Sequence, residues 1–152
     1  AFDPQRGGPE RTSFAKLDDW AQRPEDGIRH YSGQALYRKQ FQLPPPTAGQ
    51  RVFLDLGEVR DIAVVRLNGQ HLGTLWMAPR RVEITAAVRA ADNELEITVI
   101  NCWNNRLVGD AALPPEQRRT FLTTDTVKKD TPLQPAGLLG PVVLSTCTIP
   151  TP

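Results

Sequence analysis

Short runs of alternating apolar and polar residues, separated by turn-forming residues, restrict most strongly how this chain can fold. In Glu94–Ile100, the clearest run, apolar side chains stand at every second position. This period of two is typical of β-strands with one buried face. Four further runs have strand character: Ala35–Gln42, Arg51–Leu56, Ile62–Leu67 and Val142–Thr148. Sustained helical periodicity is missing, so the pattern predicts an all-β sandwich or barrel.

The turn residues between these runs support the same fold class. Asn68-Gly69 separates Ile62–Leu67 from the next apolar run, Gln70–Leu75. This dipeptide favours a type I′ hairpin, because both residues tolerate a positive φ. The triple proline at 44–46 is expected to end the first predicted strand, since proline cannot donate to a β-ladder.

The length of 152 residues predicts a single domain over residues 1–152. Two parts of it are less regular, a polar N-terminal segment (1–30) and a long stretch (104–140) that is predicted to be a loop. Trp20, in the first segment, is expected to pack in the core. The long stretch carries several apolar residues, so we expect it to be at least partly packed.

Composition excludes some partners. Eighteen basic and seventeen acidic residues leave a net charge of +1, so nothing indicates nucleic-acid binding. No apolar run is long enough to span a membrane. Cys102 and Cys147 lie in strand-like surroundings without the spacing of a zinc site, and we expect two buried free thiols rather than a disulfide.

The order of these signals resembles a known family. The pattern in Val52–Thr85, followed by NELEITVIN in Asn93–Asn101, looks like the jelly-roll, galactose-binding-like β-sandwich common to relatives of β-galactosidase and β-glucuronidase. The segments WNNRLVGD (Trp103–Asp110) and GLLGPV (Gly137–Val142) resemble the carboxy-terminal β-sandwich of the α-L-rhamnosidases of glycoside hydrolase family 106.

The resemblance implies a role as well as a fold. It implies a non-catalytic accessory domain of a rhamnosidase-like glycoside hydrolase system, because the catalytic carboxylates of such enzymes belong to another domain. The expected partners are a plant or bacterial polysaccharide containing rhamnose or galactose, and a catalytic glycoside hydrolase domain. The implied location is extracellular or periplasmic.

Sugar sites combine aromatic faces with planar polar groups, because a pyranose has an apolar side and a ring of hydroxyls. For Trp76 and Trp103, binding and structural roles are about equally expected, whereas for Arg106 and Asp110 an internal ion pair that braces the loop is slightly favoured. The candidate carbohydrate-binding residues are Trp76, Arg80, Trp103, Asn104, Asn105, Arg106 and Asp110.

No catalytic centre is predicted, and a metal site is left open. Asp55, Glu58 and Asp61 flank a turn, where charged residues usually face solvent, and they do not suggest a glycosidase pair. A structural calcium ion is the one cofactor that the resemblance suggests. Asp18, Asp19 and Asp26 are candidates for it, although no EF-hand pattern is present.

Three functional hypotheses follow. The first is a non-catalytic carbohydrate-binding or accessory domain. The second is a purely structural domain that packs against a catalytic domain and completes its active-site rim, which an exposed apolar patch around Trp76, Met77 and Pro79 would favour. The third, a free-standing hydrolase, has the least support.

Overall fold

The computed structural model describes residues 1–124 and 126–148, and most of its regular elements are strands. The two helices are α1 (Asp26–Arg29) and α2 (Asn104–Ala111). The strands are β1 (Gln34–Phe41), β2 (Gln50–Asp55), β3 (Glu58–Arg60), β4 (Ile62–Leu67), β5 (Gln70–Leu75), β6 (Arg81–Glu83), β7 (Asn93–Ile100), β8 (Gly137–Gly140) and β9 (Val143–Thr148). Short 3-10 turns lie at Pro4–Arg6, Trp20–Gln22, Thr85–Ala87 and Pro115–Gln117. The all-β prediction is confirmed.

The strands form antiparallel sheets around one core. The largest sheet has the order β1-β7-β4-β5, a second has the order β6-β2-β9, and β3 pairs with β8. On β7 the predicted apolar face is buried at Leu95, Ile97 and Val99. On β2 the same is true of Val52 and Leu54. Alternation in the sequence therefore identified the inward faces of both central strands.

The predicted hairpin joins β4 to β5. Asn68 and Gly69 both have a positive φ, 55° and 82°, as a type I′ turn requires. The Asn68 side chain donates to the carbonyl of Ala87 at 2.7 Å and to Oδ1 of the buried Asn93 at 2.9 Å. Oδ1 of Asn93 also accepts a hydrogen bond from the N–H of Arg89 at 2.8 Å. The turn is thus tied to the segment that leads into β7.

The N-terminal segment supplies part of the core. Trp20 is 0% exposed, which confirms its predicted packing role. Its indole N–H donates to the Tyr37 hydroxyl at 2.6 Å, and Phe2 and Tyr31 pack edge-on against the indole ring. Burial raises the pKa of Tyr37 above its ordinary value. The hydrogen bond from Trp20 acts in the opposite direction but is the smaller effect.

The stretch 104–140 is more regular than the sequence indicated. It begins with α2 and ends with β8, so the prediction of a long loop is corrected at both ends. The sequence did not predict α2 because it contains Gly109, and glycine has a low helix propensity. In β8 the glycines at both ends hide the strand pattern; Gly137 lies so close to the Trp20 indole that any side chain there would clash with it.

Two other expectations need correction. Cys102 and Cys147 are free, as expected, but both thiols are exposed rather than buried. Every residue of β9, which lies at the edge of its sheet, is exposed. Neither described helix is long and apolar enough to cross a membrane.

Candidate functional site

Two exposed tryptophans follow strands that end on the same side of the four-stranded sheet. In the register of β4 with its neighbours, Ala63 faces Leu75 at the end of β5, and Ile62 faces Ile100 at the end of β7. Trp76 follows the first of these strand ends and Trp103 follows the second by three residues. Since neighbouring strands lie about 4.8 Å apart, the two strand ends are separated by about 10 Å.

Both indoles at this sheet end face solvent. Trp76 is 64% exposed and Trp103 is 67% exposed. Met77, which follows Trp76 in the chain, is 60% exposed. Large apolar side chains are rarely left this open together unless something contacts them. We call Trp76, Met77 and Trp103 the tryptophan end of the domain.

The backbone under Trp103 is held in place by polar contacts. The Asp61 carboxylate accepts the N–H of Cys102 at 2.9 Å, and the Cys102 thiol donates to Oε1 of Gln134 at 3.2 Å. Asn104 is half-buried and donates to the carbonyl of Pro132 at 3.4 Å. These bonds fix the segment that carries Trp103 against both β4 and the 132–134 segment.

Asn105 is buried and paired within the domain. Its amide donates to the carbonyl of Gln134 at 2.7 Å, and its Oδ1 accepts the N–H of Gln134 at 2.8 Å. This reciprocal pairing mimics a β-ladder rung and anchors the 132–134 segment to α2. Its polar groups are therefore used inside the molecule.

Arg106 and Asp110 form the internal pair that the spacing favoured. The two residues are four positions apart on α2, and a guanidinium nitrogen of Arg106 lies 3.3 Å from a carboxylate oxygen of Asp110. The buried Asp110 carboxylate also accepts the N–H groups of Arg119 and Thr120 at 2.9 and 2.7 Å, and the Thr120 hydroxyl at 2.6 Å. The pair braces the segment that follows α2.

Arg80 lies immediately before β6, at the border between the two larger sheets. Its carbonyl accepts the N–H of Leu56 at 2.9 Å. The side chain is half-buried, and its Nε has no hydrogen-bond partner among the described residues. Of the seven candidate binding residues, Trp76, Trp103 and Asn104 thus lie at the end of the four-stranded sheet with side-chain surface exposed, and Arg80 is half-buried.

The acidic residues considered for catalysis are engaged locally. Asp55 accepts the N–H of Gly57 at 2.8 Å, and Glu58 pairs with Arg60 at 2.6 Å. Asp61 supports Cys102, as described above. These contacts give each carboxylate a structural role.

The acidic residues considered for calcium are also engaged. Asp19 uses one oxygen to accept the N–H groups of Ala21 and Ala136, at 2.9 and 2.8 Å. Asp18 pairs with Arg23 at 3.3 Å, and its other oxygen is buried without a hydrogen bond. Within residues 1–124 and 126–148, no three His, Cys, Asp or Glu side chains are grouped to hold a metal. The donor set does not fit a calcium ion.

The antiparallel β-sandwich described above is of the galactose-binding-like class. The chain is a member of the glycosyl hydrolase 2 galactose-binding domain-like family, whose model matches residues 18–129.

Relatives of known structure and sequence agree with this membership. The rhamnosidase from Novosphingobium sp. PP1Y superimposes with a TM-score of 0.90 at 40% identity, over 96% of this chain and 14% of that chain. A candidate beta-glucuronidase of Formosa agariphila is 36% identical over 89% of this chain and 14% of its own length. The beta-glucuronidase of Bifidobacterium dentium gives a TM-score of 0.50 at 31% identity, over 60% of this chain and 15% of that chain.

The present chain thus spans about one seventh of the length of each of the first two relatives. The expected resemblance to glycoside hydrolase sugar-binding domains is confirmed.

Sequence reasoning missed the residues that hold the tryptophan end together. Asp61, Cys102 and Gln134 come from three distant parts of the chain, and only the folded register places them side by side. The one available signal was the position of Asp61 immediately before a strand-like run, where a carboxylate often accepts backbone N–H groups.

Proposed function

We propose that this domain is the non-catalytic accessory domain of a longer glycoside hydrolase and that its tryptophan end contacts carbohydrate. The observation that carries the proposal is the pair of exposed indoles, Trp76 and Trp103, at one end of a family-matched sandwich. An indole face binds the apolar side of a sugar ring, and it stacks well only when it is open to solvent.

The geometry supports a shallow site. Asn104 is the polar candidate beside Trp103 that keeps part of its surface exposed, while Asn105 and Asp110 are buried. Few hydroxyls of a sugar could then be bonded at once. We therefore expect millimolar affinity for a monosaccharide and tighter binding for an oligosaccharide that reaches both indoles.

Titration calorimetry of the isolated chain tests this proposal. Rhamnose, galactose, glucuronic acid and pectic oligosaccharides are the ligands, and at least one should give saturable heat that falls at least tenfold in Trp103→Ala. Phe121→Ala is the matched control, because Phe121 is 86% exposed but lies in the segment after α2. An absence of heat with every sugar at millimolar concentration would count against an independent binding function.

A second candidate function has its own support. The run Trp76–Pro79 is exposed throughout, which is the apolar patch expected of a domain that packs against a catalytic domain. Met77→Ser distinguishes the two functions, because a methionine offers no stacking face. Packing predicts that this variant weakens domain association in the full-length hydrolase, whereas carbohydrate contact predicts unchanged sugar heat and unchanged association.

The absence of catalysis and the cellular location belong to the same proposal. The local engagement of Asp55, Glu58 and Asp61 supports a domain without its own acid–base pair, so the isolated chain should leave aryl-rhamnosides and aryl-glucuronides intact. An extracellular or periplasmic location rests on the resemblance, and cell fractionation with an antibody against the domain tests it.

A further inference from the structure

The outer edge of β1 is only partly paired. β1 is the terminal strand of the largest sheet, and it pairs with β7 on one side. On its other side, Ala1 exchanges two hydrogen bonds with Leu36, both of 2.8 Å. Phe2 forms a bridge with Ala35 next to this rung. Two residues of an antiparallel strand are therefore already in place.

Beyond this rung the ladder stops. In an antiparallel pair, the backbone groups of alternate residues face the same edge. Since Leu36 faces outward to Ala1, Arg38 and Gln40 present their N–H and C=O groups at that edge too. No strand among the described residues pairs with them there. Such groups form a ready template for another strand.

A cleft of about 810 Å³ lies behind this edge, between the two larger sheets. Its walls are side chains that a complete sandwich would cover on all sides. They include Phe14, Tyr37, Leu54, Ile97, Leu138 and Leu144. Leu144 faces the core side of β9, opposite Leu54, yet it is 37% exposed. The core is thus open where a further strand would close it.

Four basic residues line the cleft: Arg11, Lys16, Arg38 and Lys39. Arg38 is already paired with Glu96 at 2.9 Å. Lys39 stands on the same side of β1 as the buried Ala35, but it is exposed. Natural proteins often place such an inward-pointing charge on an unpaired edge strand, where it discourages aggregation. The side chains between the apolar positions of an added strand would face outward, beside Arg38, and would therefore be polar.

We propose that the β1 edge accepts an extended polypeptide strand that continues the Ala1–Leu36 register and has apolar residues facing the cleft with polar residues between them. In a chain that continues before Ala1, the segment leading into Ala1 would be in register to form this strand. In this respect the inference rests on the proposed membership of a longer hydrolase, while the strand-addition test uses this chain alone.

The register defines the occupant. Phe2 and its partner Ala35 are both buried, so they share the core side. The residue before Ala1 would face Tyr37, and the second before Ala1 would exchange hydrogen bonds with Arg38. In a five-residue extension, the first, third and fifth residues therefore point into the cleft, and the second and fourth point outward.

The test compares N-terminal extensions of the chain by amide hydrogen exchange. The extension Val-Glu-Val-Glu-Val should slow exchange at the N–H groups of Arg38 and Gln40 at least tenfold relative to the unextended chain. The face-swapped extension Glu-Val-Glu-Val-Glu and the extension Val-Pro-Val-Pro-Val, which lacks two donors, should leave both rates within twofold. The unchanged exchange of the Trp20 indole N–H verifies that each variant is folded.

Two results would overturn the proposal. One is equal exchange at Arg38 and Gln40 in all four chains. The other is protection of these amides in the unextended chain that grows with protein concentration, since a second copy would then cover the edge. Neither result depends on sugar binding, so failure here is distinct from failure of the calorimetric test.

Discussion

Asp110 shows how one buried side chain can organise a segment without regular structure. It accepts three donors from Arg119 and Thr120, nine and ten residues further along the chain, while Arg106 balances its charge. Charge-assisted hydrogen bonds to a buried carboxylate are among the stronger interactions in proteins. A functional role in sugar binding is therefore not needed to explain this residue.

Removing that carboxylate should destabilise the domain. Asp110→Ala leaves the Arg106 guanidinium and two backbone N–H groups without their partner, which costs about 3 kcal/mol when such groups are buried. Urea denaturation followed by tryptophan fluorescence measures the change. The matched control is Glu116→Ala, an exposed carboxylate nearby, which should alter the unfolding free energy by less than about 0.5 kcal/mol. Equal stabilities for the two variants would contradict the bracing role.

His30 gives a second prediction at this scale, concerning pH. Burial lowers the pKa of His30 below its ordinary value of 6.5, against the opposing effect of Asp26. The folded state therefore binds a proton less readily than the unfolded state. Stability is fully present above the unfolded pKa and is lost as the pH falls through 6.5 towards the folded pKa.

The measurement is the unfolding free energy between pH 7 and pH 5. His30→Gln removes the titrating group, so its stability should decline less over this interval than that of the parent chain. Parallel pH profiles for the two proteins would show that His30 does not contribute to the pH dependence.

At the scale of elements, the hairpin between β4 and β5 depends on two left-handed residues. Nothing lies within 4 Å of the position that a Cβ on Gly69 would occupy, so steric crowding is not an issue there. Any cost of a substitution must come from the backbone conformation, whose φ is 82°. A substitution at Gly69 therefore measures the cost of the backbone conformation alone, without a contribution from packing.

Gly69→Ala should destabilise the domain by about 1 kcal/mol, which is the typical cost of a left-handed conformation for an L-residue. Gly69→Asn is the matched variant, because asparagine tolerates this conformation better. Thermal unfolding of both should place the asparagine variant between the parent and the alanine variant. An alanine variant as stable as the parent would mean that the turn rearranges.

The elements also show what the sequence alone could predict. Alternation located β7 and β2 and their inward faces, since one side of each strand must be apolar. It missed β3, β6 and β8, because three or four residues are too short for a period to appear. It also missed α2, which is stabilised by contacts of Asn105 and Asp110 with residues far along the chain rather than by helix propensity.

At the scale of the whole molecule, the sandwich carries two open regions with different character. The tryptophan end is apolar, exposed and formed by strand ends, while the β1 edge is rimmed by basic residues. The aromatic residues of the first could be named from the sequence. Their meeting at one end could not, because it depends on the register of β4 between β5 and β7.

The central claim is that Trp76 and Trp103 contact carbohydrate while Trp20 belongs to the core. The three indole N–H signals in an NMR titration with pectic oligosaccharide test this claim directly. Contact with carbohydrate predicts that the signals of Trp76 and Trp103 shift with saturation, whereas that of Trp20, bonded to Tyr37 at 2.6 Å, stays in place. Three unmoved signals, or a shift confined to Trp20, would contradict it.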